Sequence, residues 1–203
     1  MRVQSVQPMK LHLFLITFDD GSTGEIDKTV WQHSGGSIGD EFSDEEWTRL
    51  CDLSQRYRAK EKALYYLSLR DYGCTELIRK LTFGGIDSTL AEETVFQLRE
   101  SGLINDARLA YRVAEDLQNR KLYPKRRIRI NLMDKGFSRE DIDNALAQLP
   151  DDEEKQALEL LAKKRYNGNG DARMREKALA MLSRYGFSYT VLKRAIERFE
   201  TEE

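Results

Sequence analysis

The sequence predicts a mainly α fold of tandem three-helix repeats that form an elongated, right- or left-curved arc, with a small N-terminal β-hairpin plus helix element. Three observations support this class: one type of turn recurs three times, helical apolar stripes flank each turn, and only the N-terminal region carries a strand pattern. The predicted divisions are an N-terminal extension over 1–58 and three-helix repeats over 59–103, 104–150 and 151–203.

The strand pattern lies in residues 10–26, "KLHLFLITFDDGSTGEI". This segment is rich in aromatic and β-branched residues and is interrupted by Asp20-Gly21, a dipeptide that suits the tight turn of a hairpin. We therefore expect a β-hairpin here. Asp27 then predicts the cap of a short helix that runs through Trp31.

A longer helix is expected after the glycine-rich loop "SGGSIGD". Ser43 can accept a hydrogen bond from the first turn, and the three acids that follow it suit the positive end of a helix dipole. The predicted helix runs from about Asp44 to Ser54.

The recurring turn consists of a leucine, a glycine four residues later, an apolar residue and then a capping residue. Glycine tolerates the left-handed conformation that ends one helix, and the Asp or Ser that follows caps the next. Three copies in register at a period of about 50 residues indicate a tandem repeat rather than three unrelated turns. The leucine and glycine pairs are Leu81 and Gly85, Leu132 and Gly136, and Leu182 and Gly186.

Composition narrows the function classes. The chain is 40% hydrophobic and 33% charged, which is typical of a globular protein. Cys51 and Cys74 form no CxxC pair or disulfide framework, so a reducing, cytoplasmic location is expected. No apolar run is long enough to span a membrane. The net charge of -2, with an excess of acids in residues 1–58, disfavours a wholly nucleic-acid-binding surface but permits one basic patch.

The residues that would support catalysis are absent from the pattern. His12 and His33 have no spacing that predicts a metal pair or a Cys-His couple. The glycines of "SGGSIGD" lack the Lys-Ser/Thr of a phosphate-binding loop. We therefore expect no enzyme activity, no metal and no cofactor.

One dense charge cluster remains, "RKLYPKRRIRI", which contains no acidic residue. Pro124 suits the first turn of a helix whose core side carries Ile128 and Leu132, so that the cations lie on the outer side with Tyr123 beside them. They form either a solubilising face or a contact for a phosphate or carboxylate surface, and six unpaired cations favour the second reading. The cations are Arg120, Lys121, Lys125, Arg126, Arg127 and Arg129.

The helix–glycine–helix turns could also be DNA-reading units. Such a unit presents basic or amide side chains from the first turns of its second helix. Here the second helices begin "STLAEET" and "REDID", so acids would meet the phosphates. Sequence-specific reading of the major groove is not expected.

Three segments resemble the RecX family, whose members regulate the bacterial recombinase RecA. They are "ALYYLSLRDYGCTELIRKL" (63–81), "SGLINDARLAYRV" (101–113) and "RKLYPKRRIRINLMDKGFSREDIDNAL" (120–146). The resemblance implies a non-enzymatic protein of DNA repair, homologous recombination and the SOS response. Such a protein binds the RecA filament on DNA and modulates, by inhibition, its ATPase and strand-exchange activities.

The resemblance also nominates individual residues. Arg70, Lys80, Arg108 and Arg127 are either surface contacts for RecA or DNA, or internal partners of Glu76 and Asp106. Gly73 stands where the family usually has a serine, which predicts a weaker helix cap. Leu122 and Pro124 replace glycines and stiffen the loop before the basic helix.

Two other functions stay open from the residues alone. The chain is alternatively a DNA-binding repeat protein that acts without RecA, or a helical adaptor for a different protein. A monomer is expected for each of these functions. For a regulator of RecA we also expect at most weak direct DNA binding and no membrane contact.

Overall fold

The computed structural model describes residues 1–166 and 172–202 and confirms the mainly helical fold class with a small N-terminal sheet. The strands are β1 (Val3–Pro8), β2 (Leu13–Phe18) and β3 (Thr23–Asp27). The helices are α1 (Lys28–Ser34), α2 (Asp44–Leu69), α3 (Cys74–Phe83), α4 (Ser88–Glu100), α5 (Asp106–Lys121), α6 (Lys125–Asp134), α7 (Arg139–Gln148), α8 (Glu153–Lys163), α9 (Ala172–Tyr185) and α10 (Tyr189–Glu202).

The sheet is antiparallel with strand order β1-β2-β3. The predicted hairpin is the β2–β3 pair, and Asp20 Oδ1 accepts a 2.8 Å hydrogen bond from the Ser22 N–H in its turn. The prediction missed β1, which pairs with β2 from Val3 to Pro8. Its sequence, "VQSVQP", has no continuous apolar alternation, and a proline is compatible only with the edge position that β1 occupies.

Aromatic rings pack the sheet against the N-terminal part of α2. The Trp47 ring lies edge-on to Phe18, with centroids 4.8 Å apart. A Cβ at Gly24 would come 2.5 Å from Trp47 Cζ2, so only glycine admits the indole at this place on β3. The same cluster contains the buried Ile16 and Trp31.

The two predicted caps near α1 and α2 are present. Asp27 accepts from the Thr29 N–H at 2.8 Å, and Ser43 and Glu46 form a reciprocal capping box. The predicted end of α2 was wrong, because the helix continues past Ser54 to Leu69. Ser54 is buried and its hydroxyl accepts from the Asp27 N–H at 2.7 Å, and neither glycine nor proline interrupts the stretch. The predicted boundary between residues 58 and 59 therefore lies inside one helix.

The chain divides into two compact units. The first contains Met1–Tyr72 with Leu77–Leu103, and the second contains Gly73–Glu76 with Ile104–Glu203. Within the second unit, one buried cluster comes from α5, α6 and α7 around Ile128, and another comes from α8, α9 and α10. Because Leu132 and Leu182 are fully buried in these clusters, truncating either to alanine is expected to cost about 2–5 kcal/mol.

The three glycine turns share one geometry. Gly85, Gly136 and Gly186 have φ of +87°, +84° and +97°. In each turn the next N–H bonds the carbonyl of the buried leucine, at 3.1, 3.2 and 3.3 Å, which is the six-to-one bond of a Schellman ending. Helices α3, α6 and α9 therefore end in the same way.

Candidate functional site

The basic segment, residues 120–129, spans the end of α5, a short loop and the start of α6. The loop is fixed from inside, because Leu122 adopts a left-handed φ of +56° and buries its side chain in the cluster of α8, α9 and α10. Pro124 follows as the N-cap of α6 and offers no side-chain hydrogen bond. Leu122 thus anchors the segment to the helices that follow.

The start of α6 lies near the start of α8. The Glu153 carboxylate is close to the Lys125 N–H, which favours its charged form. Burial, followed by the nearby charge of Asp151, raises the pKa of Glu153, while the N–H and the charge of Lys125 oppose the shift. This carboxylate is therefore held in a place where its charge is disfavoured.

The start of α3 also meets a carboxylate from later in the chain. Gly73 has no side chain to cap the helix, and Asp106 Oδ1 accepts the Cys74 N–H at 2.9 Å. Asp106 is the first residue of α5, as Glu153 is of α8. The weaker cap predicted at Gly73 is thus replaced by a carboxylate from later in the chain.

Arg127 is half-buried and belongs to the internal packing. Its guanidinium lies 4.0 Å from the ring centroid of Tyr123 and 5.1 Å from that of Tyr185. Its Nη1 donates to the carbonyl oxygen of Arg184 at 3.1 Å. The side chain therefore joins α6 to the end of α9, and the stacking beside Tyr123 that the sequence predicted is used inside the protein.

The prediction of six unpaired cations was wrong. Carboxylates outside the segment contact three of them: Asp116 lies 2.8 Å from Arg120, Asp151 lies 3.8 Å from Lys125, and Asp143 lies 2.5 Å from Arg129. Such partly exposed pairs contribute about 0–1 kcal/mol each, but they reduce the local positive charge.

Two cations of the segment have no acidic partner among the described residues. Among the residues that the structure describes, Lys121 and Arg126 form no ion pair, and both side chains are exposed. The positive part of this surface is therefore narrower than the sequence predicted.

The other nominated cations are dispersed. The Arg70 guanidinium lies 3.7 Å from the centroid of the Tyr72 ring, and its Nη1 donates to the Asp71 carbonyl at 3.0 Å. Lys80 is exposed in the last turn of α3, and Arg108 is exposed in the first turn of α5. Arg70 and Lys80 belong to the first unit, whereas the basic segment belongs to the second.

The sequence reasoning missed two exposed apolar residues of α6. Ile130 and Met133 are 53% and 61% exposed. They lie four and seven residues after Arg126, which places the three side chains on one helix face. The sequence contains this i, i+4, i+7 spacing, but it was used to predict only the buried side of the helix, at Ile128 and Leu132.

A cleft of about 460 Å³ between α1 and α2 is lined mainly by apolar groups, including Leu53 and Tyr57. The His33 ring Nδ1 at its edge lies 2.7 Å from the Thr29 carbonyl oxygen. In residues 1–166 and 172–202 no group of three or more His, Cys, Asp and Glu side chains could hold a metal ion. No helix in these residues is long and apolar enough to cross a membrane.

These features define a helical-repeat protein with a small N-terminal sheet. Residues 105–146 match the profile of the second three-helix domain of RecX. The regulatory protein RecX of Clostridioides difficile (strain 630) is 32% identical over 163 residues, which cover 79% of this chain and 76% of that protein. This chain belongs to the RecX family of regulatory proteins.

Other relatives extend the likeness over the whole chain. The regulatory protein RecX of Streptococcus pneumoniae (strain Hungary19A-6) is 26% identical and covers 100% of this chain and 78% of its own length. A crystal structure of a regulatory protein RecX superposes with a TM-score of 0.69 at 24% identity, over 100% of this chain and 99% of that one. RecX from Lactobacillus salivarius gives 0.64 at 24% identity, over 72% and 97%. The two structures support the fold.

Proposed function

We propose that this protein binds the RecA nucleoprotein filament and inhibits its ATPase and strand-exchange activities. The observation that supports the proposal is family membership across most of the chain, because the similar proteins carry the name regulatory protein RecX. The protein acts as a monomer in the cytoplasm, where such filaments form, and performs no catalysis of its own.

The proposed mechanism is multivalent. The three-helix repeats over 59–103, 104–150 and 151–203 each contact the filament, and together they touch more than one RecA protomer. Linked weak contacts bind more tightly than any one of them alone. A protein that bridges neighbouring protomers stabilises one arrangement of the filament and opposes the cyclic changes that accompany ATP turnover.

Direct DNA binding without RecA is the second candidate, since Lys121 and Arg126 carry charge that no described carboxylate pairs. A phosphate contact of this kind makes affinity fall steeply with salt concentration. Against it, Asp116, Asp143 and Asp151 lie next to the other cations of the segment. A helical adaptor for another protein would bind neither RecA nor DNA.

The deciding experiment measures ATP hydrolysis by cognate RecA on single-stranded DNA while this protein is added at less than one copy per RecA. Inhibition at such ratios is expected, because one bridging molecule restrains several protomers. Unchanged hydrolysis together with salt-sensitive binding to bare DNA would support the second candidate. Unchanged hydrolysis without any DNA binding would leave the adaptor.

A further inference from the structure

The outer face of α6 is defined here by Arg126, Ile130 and Met133. The three side chains point away from the buried Ile128 and Leu132, which lie on the opposite side of the same helix. Within the described residues Arg126 has no carboxylate partner. The face therefore presents one full positive charge beside two large apolar groups that water surrounds.

These apolar groups are not a requirement of the repeat. Counting from the buried leucine of each turn, the positions of Ile130 and Met133 are occupied in α3 by Arg79 and Thr82. In α9 the same positions hold small exposed residues, Ala180 and Ser183. Because the other two helices fold with polar or small residues there, packing does not explain Ile130 and Met133.

The composition of the face distinguishes between protein and nucleic acid as partners. Phosphate contacts use cations and hydrogen-bond donors, and neither an isoleucine nor a methionine supplies one. Exposed apolar side chains gain free energy when another apolar surface covers them. Arginine and methionine beside a buried apolar centre are enriched in protein interfaces, where methionine adapts to irregular shapes.

The charges around the face also disfavour a polyanion. Asp143 lies against Arg129, so this neighbouring cation is already neutralised. Asp134 ends the helix in an exposed position one residue after Met133. A long phosphate backbone would meet one unpaired arginine and then an acid, whereas a single carboxylate needs only the arginine.

From these observations we infer that the outer face of α6 docks on a protein segment whose apolar side chains are bordered by a carboxylate. The inference rests on the proposed function and places that segment on RecA. Ile130 and Met133 pack on the apolar side chains, and Arg126 pairs with the carboxylate. The second repeat thus supplies a contact that the first and third do not supply at these positions.

The test compares two double variants by equilibrium binding of the full chain to RecA filaments on single-stranded DNA. I130S/M133S removes the apolar part of the face. L53S/L69S is the matched control, because Leu53 and Leu69 are 56% and 61% exposed and lie in α2. Each pair exchanges two exposed apolar side chains for serine in one helix, so the cost in helix propensity is similar.

The expected result is an affinity about tenfold to a hundredfold weaker for I130S/M133S, and an affinity within about twofold of wild type for L53S/L69S. R126E should also weaken binding, and the dependence of affinity on salt should become shallower because an attractive ion pair is lost. Circular dichroism should give unchanged helicity for all three variants.

Three outcomes would overturn the inference in distinguishable ways. If wild type and I130S/M133S bind the filament equally, the α6 face is not the contact, and the proposed function stands without it. If wild type shows no filament binding, the proposed function fails and the inference fails with it. Loss of bare-DNA binding in R126E but not in I130S/M133S would assign the face to phosphate instead.

Discussion

Two junctions in the second compact unit occupy corresponding places but are built from different side chains. At the first, Thr75 donates its hydroxyl to the Gly136 carbonyl at 2.8 Å, near the start of α3. At the second, Arg127 donates to the Arg184 carbonyl at 3.1 Å, near the start of α6. In both, the start of one helix meets the glycine turn that follows it by about 60 residues.

The difference lies in how closely the backbones approach. A Cβ at Gly136 would come 2.5 Å from Thr75 Cγ2, whereas a Cβ at Gly186 would come 3.3 Å from Arg127 Cβ. The first junction is closed by small groups in contact. The second is filled by a long side chain stacked between two tyrosine rings. The first junction is thus closed by close backbone packing and the second by a side-chain filler.

The largest expected effect is a difference in the loss of stability when Gly136 and Gly186 are replaced by alanine. Both have a left-handed φ, so alanine costs about 1–2 kcal/mol of strain at either position. G136A should cost about 1–3 kcal/mol more than G186A, because the β-branched Thr75 cannot move away without shifting α3. The free energy of unfolding in urea measures both.

G85A provides the reference for strain alone, since a Cβ at Gly85 would meet nothing within 4 Å. It should resemble G186A more than G136A. Equal losses for all three variants would mean that crowding at the first junction is relieved without cost, and the contrast between the junctions would disappear.

The second prediction concerns the filler at the second junction. R127A should lower the free energy of unfolding by about 1–3 kcal/mol, because it removes the stacking on Tyr123 and Tyr185 and a charge-assisted hydrogen bond. R126A, next to it on the exposed side, should change stability by less than about 0.5 kcal/mol. Thermal or urea unfolding would contradict the assignment if the two arginines proved equivalent.

The different roles of Arg126 and Arg127 determine which residues a charge-reversal variant should change. Replacing Arg126, Arg127 and Arg129 together with glutamate would disturb the junction as well as the surface. K121E/R126E changes the two cations of the basic segment that the described carboxylates leave unpaired. A binding defect in that variant, with unchanged unfolding, reports on the surface alone.

The turns were predictable because they are local. Leu132, Gly136 and Ser138 lie within seven residues, and the backbone conformation of the glycine and the cap at Ser138 follow from chemistry inside that window. The sequence therefore predicted the three glycine turns, their order and the mainly helical class. The hairpin at Asp20 was predictable for the same reason.

The junctions were not predictable because their partners are distant in sequence. The residues around Gly73 do not indicate that Asp106 caps α3. Those around Pro124 do not indicate that Glu153 lies near the Lys125 N–H. The ion pairs of Lys125 and Arg129 were missed for the same reason, since Asp151 lies in the loop before α8 and Asp143 lies in α7. The length of α2 was missed because Ser54 resembles a helix end locally but is buried against Asp27.

The smallest expected effect is a dependence of stability on pH that arises from Glu153, near the start of α6. Burial raises the pKa of Glu153 above its ordinary value of 4.5, so the folded protein binds this proton more tightly than the unfolded chain does. The contribution of Glu153 to stability is therefore most favourable below the unfolded pKa and is lost as the pH rises through the folded pKa. E153Q keeps an oxygen for the Lys125 N–H but cannot carry the charge.

The stability of E153Q relative to wild type should consequently rise between about pH 4 and pH 7. Urea unfolding at the two pH values measures the change. If instead E153Q lost stability relative to wild type as the pH rose, the charged carboxylate would be the better cap. The charged Glu153 of α8 would then help to hold the start of α6, in addition to the stacked Arg127. The two junctions would differ in electrostatics as well as in packing.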